Sequence, residues 1–77
     1  MSVSAYIFVE TTTGKAREVS ATIQQLKGVM RCNTITGPYD LIALVEAGDI
    51  RQLSDVVVTQ IQATPGVLRT MTNIIAD

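Results

Sequence analysis

In the segment Thr36-Gly37-Pro38-Tyr39-Asp40 a tight turn is followed at once by a carboxylate. A turn exposes backbone donors and acceptors, and a neighbouring carboxylate pairs with an ammonium group, so the segment offers what is needed to hold both ends of an amino acid. The same residues have ordinary turn roles, because Gly, Pro and Asp each favour a hairpin for conformational reasons alone. A second group, Arg69-Thr70-Met71-Thr72-Asn73, sets two threonine hydroxyls on one face of an extended segment. Threonine pairs are also simply favoured in strands.

Catalysis is not expected. It would need a nucleophile beside a base, paired carboxylates, a metal cluster or a phosphate loop, and none is recognisable. There is no histidine, so the single cysteine, Cys32, lacks the usual thiol activator and reads as a small buried hydrophobe. Glu10 and Glu46 end corresponding strands, where they either sit close together or remain solvated. Gly14 and Gly48 are isolated, which leaves no phosphate-cradling glycine pattern, and neither a cofactor nor a metal is expected.

The elements that must position these residues fit in one domain, 1–77, since the chain has 77 residues, 47% of them hydrophobic, and only 2 prolines. A domain of this size buries about 60–65% of the unfolded chain's surface, so further burial through oligomerisation is expected. No disulfide can form within the chain. Six basic and seven acidic residues give a net charge of −1 without a basic run, so no direct nucleic-acid contact is expected. No stretch approaches the ~20 apolar residues of a membrane span and the start lacks signal-peptide character, which predicts a cytoplasmic protein without membrane contact.

Val3 to Glu10 alternates Val3, Ala5, Ile7, Val9 with Ser4, Tyr6, Phe8, Glu10, the period of a strand. Ala16, Val19, Ile23 and Leu26 then recur at helical spacing up to Gly28. Val29 to Thr36 reads as a second strand ending in the Gly37 to Asp40 turn, and Leu41 to Ala47, almost continuously apolar, as a central third. Asp49 and Gln52 resemble a capping box for a second helix whose inner face is Ile50, Leu53, Val57 and Ile61. The valines Val56 to Val58 oppose that helix on propensity by a few tenths of a kcal/mol each. Pro65-Gly66 stops it, and Val67 to Ala76 alternates as a fourth strand.

The order is βαββαβ. The halves echo one another, with Ile23-Gln24, Gly28-Val29 and Arg31 recurring as Ile61-Gln62, Gly66-Val67 and Arg69 at a constant offset of 61 − 23 = 38. This is the duplicated layout of a ferredoxin-like α+β fold, a four-stranded antiparallel sheet with both helices on one face. The other face is bare. Both alternating sets of the first strand hold large apolar residues, so that face is expected to close against a second copy in a homodimer.

The ordered series Thr36-Gly37-Pro38-Tyr39-Asp40 before an apolar strand, Asp49 and Leu53 opening a helix, Pro65-Gly66-Val67, Thr70-Met71-Thr72 and Ile74-Ile75 resembles the ligand-binding (RAM) domain of the leucine-responsive regulator/asparagine regulator (Lrp/AsnC) transcription factors. The resemblance implies a dimer with facing sheets, assembly to tetramers or octamers, and an amino acid or similar effector bound where dimers meet. It also implies that Gly37, Tyr39 and Asp40 form the effector-binding turn, with Thr70 and Thr72 facing the same pocket.

Those regulators carry an N-terminal helix-turn-helix domain, whereas the first strand here is expected from Val3, which points to a stand-alone sensing domain. Such a domain would bind a metabolite and associate with full-length Lrp/AsnC regulators to modulate transcription, or it would act only as a structural interaction module. A dimeric α/β-barrel enzyme is a third reading, and it would need Tyr6, Tyr39, Asp40 or a strand-end glutamate for proton transfer.

Overall fold

The computed structural model describes residues 2–77, so the first residue of the 1–77 domain lies outside them. Strand β1 (Val3–Thr11) leads through helix α1 (Ala16–Gln24) to β2 (Val29–Thr34), β3 (Leu41–Ala47), helix α2 (Ile50–Asp55) and β4 (Val67–Ile74). The sheet order is β2-β3-β1-β4, with every neighbouring pair antiparallel. This is the expected ferredoxin-like arrangement, and β3 is an inner strand. The outer strands β2 and β4 end two residues short of the sequence-derived limits Thr36 and Ala76.

Alternation in β1 settles which of its faces is covered. Ala5, Ile7 and Val9 are buried with Leu41, Ala43 and Val45 of β3 beneath Val19 and Ile23 of α1 and Leu53, Val57 and Ile61 of the second helix. Tyr6 and Phe8 therefore lie on the other face, across from Leu44 and Ile42. Both helices cover one side, and the opposite side carries half-buried aromatic and aliphatic groups with no element above them.

Asp49 caps α2 as expected, its Oδ1 accepting the Gln52 N–H at 2.8 Å. The reciprocal bond of the box shifts by one residue, because Gln52 Oε1 accepts the N–H of Gly48 at 3.0 Å. Past Asp55 the helix widens into a π-helical segment, Val56–Ile61, closed by the Gln62 N–H donating to the Val57 carbonyl at 2.8 Å. It opens at the three valines, whose branched side chains crowd an α-helical turn. Ile50 corrects the expected inner face: it is 59% exposed in the first turn.

Two strand irregularities also escape period-2 reading. The registers skip Met30 between Val29 and Arg31, and Leu68 between Val67 and Arg69, so that both protrude at about 61–62% exposure. They stand 68 − 30 = 38 residues apart, the offset of the internal repeat. The extra residue in each case lets Val29 and Val67 turn toward the core while Arg31 and Arg69 remain on the open face.

Candidate functional site

The turn before β3 holds the sequence-derived site residues Gly37, Tyr39 and Asp40. Gly37 has φ +128, a conformation that L side chains rarely adopt. The turn is closed by the Ile35 N–H donating to the Asp40 carbonyl at 2.9 Å, and is held to β1 by the Asp40 N–H donating to the Val9 carbonyl at 3.0 Å. Asp40 is also a structural tie, since its Oδ2 accepts the N–H of Thr11 at 2.8 Å. No polar side-chain atom among the described residues is both buried and unpartnered, so the second Asp40 oxygen, which makes no hydrogen bond within the chain, is not fully buried.

Tyr39 folds over the open face of the sheet. Its ring lies 5.6 Å from that of Phe8 at a tilt of 40°, and its hydroxyl donates to Met71 Sδ at 3.9 Å. The Arg69 guanidinium stands 5.9 Å from the centre of the same ring while its Nε pairs with Glu10 Oε1 at 2.8 Å. Sequence reasoning did not assign Arg69 and Met71 to this cluster. The signal was their parity in β4, which becomes readable only once the register places Phe8 opposite Met71 and Glu10 opposite Arg69. Glu10 and Glu46 do not meet, because Glu46 faces Ser4 at the far end of β1.

Thr70 and Thr72 stand opposite Val9 and Ile7, on the helix side of the edge strand β4. Thr70 Oγ1 accepts a hydrogen bond from Gln62 Nε2 at 3.0 Å. Thr72 borders an apolar groove of about 270 Å³ formed with Leu53, Val57, Val58 and Ile74. Within one chain the structure thus separates the threonines from Tyr39 by the thickness of the sheet, and β1 lies between Thr70 and Asp40. The turn and the threonines share one end of the sheet but no common recess. A larger recess of about 290 Å³, between Lys27, Glu46 and Asp55, contains none of the five.

Burial pushes the Cys32 thiol up from its ordinary range, with the Ser20 hydroxyl opposing that shift, so the group is held as the neutral thiol. It belongs to the core cluster, in keeping with the reading of a small buried hydrophobe. Among the described residues no group of three or more His, Cys, Asp or Glu is placed to hold a metal, and no helix is long and apolar enough to cross a membrane.

A family model described as the Lrp/AsnC ligand binding domain matches residues 4–77. Among solved structures, a protein of Thermus thermophilus is 32% identical with a TM-score of 0.92, over 97% of this chain and 94% of that one. A hypothetical protein from Pyrococcus horikoshii is 31% identical with a TM-score of 0.89, over 97% of this chain and 90% of that one. A transcriptional regulator from Neisseria meningitidis, solved as an L-Met complex, shares the fold at 22% identity and a TM-score of 0.86; 97% of this chain matches 50% of that one. No curated protein matches the chain.

Proposed function

From the premise that the chain belongs to the Lrp/AsnC ligand binding domain family, we propose that it senses an amino acid or similar small metabolite at a site between subunits of a homo-oligomer. The observation that carries the between-subunit reading is the separation of Tyr39 from Thr70 and Thr72 by the thickness of the sheet, with β1 lying between Thr70 and Asp40. A site that uses all five residues must draw the turn from one subunit and the threonines from another. Asp40, with one oxygen already fixing the turn, presents the other to a ligand ammonium group, and the threonine hydroxyls serve a carboxylate or its bridging water.

The open sheet face supports the assembly half of the proposal. Tyr6, Phe8, Tyr39, Ile42 and Leu44 are half-buried and Met71 is 43% exposed, on a sheet face that no helix covers. A second copy laid face to face is the way to remove that surface from water without a new element, and a twofold axis makes one patch serve both partners. Assembly beyond the dimer brings the turn of one dimer to the threonine edge of another. Association with full-length Lrp/AsnC regulators, and so an effect on transcription, follows from sharing these surfaces with them.

L-methionine is the first compound to test, given the L-Met complex of the Neisseria meningitidis regulator. A thermal-shift panel of the common amino acids is expected to show a rise for at least one of them. At a hundred times its dissociation constant a ligand contributes about 2.7 kcal/mol, which raises the midpoint of a domain of this size by roughly 10–20 °C. A flat response across the whole panel would leave assembly alone as the function.

A further inference from the structure

The open face carries four charged side chains by register: Glu10 on β1, Arg31 on β2, Glu46 on β3 and Arg69 on β4. Two of them neutralise one another within the chain, Arg69 and Glu10 at 2.8 Å. Among the described residues neither Arg31 nor Glu46 has an ion-pair partner. One unpaired cation and one unpaired anion thus remain on a face whose centre, at Tyr6, Phe8, Ile42 and Leu44, is apolar. Arg31 borders a recess there with Tyr6, Asn33, Ile42 and Leu44. A charge taken into an apolar interface without a counter-charge opposes association, so whatever covers this face must answer both charges.

A second copy answers them by symmetry. Across a twofold axis residue i meets residue j and residue j meets residue i, so one positive and one negative group per chain make two identical pairs and leave no charge over. Sheet geometry allows it. Arg31 is registered with Leu44, and Glu46 lies two residues further along β3, which sets their Cα atoms about 8 Å apart from one strand spacing and two residues of rise. The axis that exchanges them bisects that line and runs obliquely past Leu44 and Tyr6 toward Met71, through the apolar centre of the face. An axis at an edge would have left that centre in water.

We propose that the face-to-face dimer is locked in one orientation by two ion pairs between Arg31 of each subunit and the partner subunit's Glu46. This rests on the dimer reading above, and charge reversal separates the two claims. In sedimentation equilibrium the unaltered chain forms a dimer, while R31E and E46R each raise the dissociation constant about a hundredfold by setting like charges together. The double variant R31E/E46R returns to within about tenfold of the unaltered chain. An equimolar mixture of R31E and E46R gives a heterodimer tighter than either homodimer, because both cross pairs are then attractive. Both positions are solvent-exposed in the single chain, and circular dichroism melting confirms that each variant is folded; R31Q and E46Q replace any that is not. A dimer unaffected by the single reversals, or a double variant no tighter than the singles, overturns the pairing alone. A monomeric unaltered chain at micromolar concentration overturns the dimer reading with it.

Discussion

The substitution D40N is expected to leave the fold nearly intact and abolish the ligand response, whereas D40A damages both. The Asp40 carboxylate accepts the Thr11 N–H at 2.8 Å, and Thr11 is only 6% exposed. Alanine strands that donor in the interior, a loss of about 1–3 kcal/mol, which lowers the melting midpoint of so small a domain by roughly 5–20 °C. Asparagine keeps an acceptor oxygen in place and loses only the charge. Its midpoint should fall by a few degrees at most, with the charge-assisted part of the bond. The charge is what an ammonium group requires, so D40N should flatten the amino-acid thermal shift. Differential scanning calorimetry with and without ligand checks both halves. A D40N variant that responds as the unaltered chain does would remove Asp40 from the site.

The substitution L44E should convert the proposed dimer to a monomer. Leu44 is half-buried on the open face, pairs with Tyr6, and lies near the axis described above. Two carboxylates facing one another near the axis cost several kcal/mol, so the dissociation constant rises at least about a hundredfold. The melting midpoint of the unaltered chain should climb with protein concentration, as it does whenever folding and association are linked. That of L44E should not. Calorimetry at several concentrations reads this directly, and a midpoint independent of concentration in the unaltered chain would count against assembly as a source of stability.

The element order was legible because periodicity changes sharply at each boundary, from the alternation of Val3 to Glu10 to the three- and four-residue spacing of Val19 and Ile23. The cap at Asp49 and the turn at Gly37 were legible for the same local reason: side-chain chemistry at single positions decides them. What depends on two strands at once was not. Sequence could not say whether Tyr6 or Ile7 faces the helices, since both sets of β1 are apolar, and only pairing with β3 decides it.

In β4, simple alternation groups Val67 with Arg69, yet the extra Leu68 places Val67 against the core and Arg69 on the open face. The valine run signalled weak helix propensity but not the wider turn it adopts. The candidate site suffered from the same limit. Thr70, Thr72 and Tyr39 each have side chains that could bind a ligand, but the division of the threonines from Tyr39 between the two sides of the sheet follows from register, and it is this that motivates the proposed site between subunits.

Gly37, Tyr39, Asp40, Thr70 and Thr72 are proposed to form one ligand site when subunits assemble. An amide-resolved NMR titration of the assembled protein with the best ligand of the thermal panel tests it. The amides of Gly37, Tyr39, Asp40, Thr70 and Thr72 should shift together, saturably and with one dissociation constant. Saturable shifts confined to other residues, or shifts of the turn and of the threonines with different dissociation constants, would contradict it.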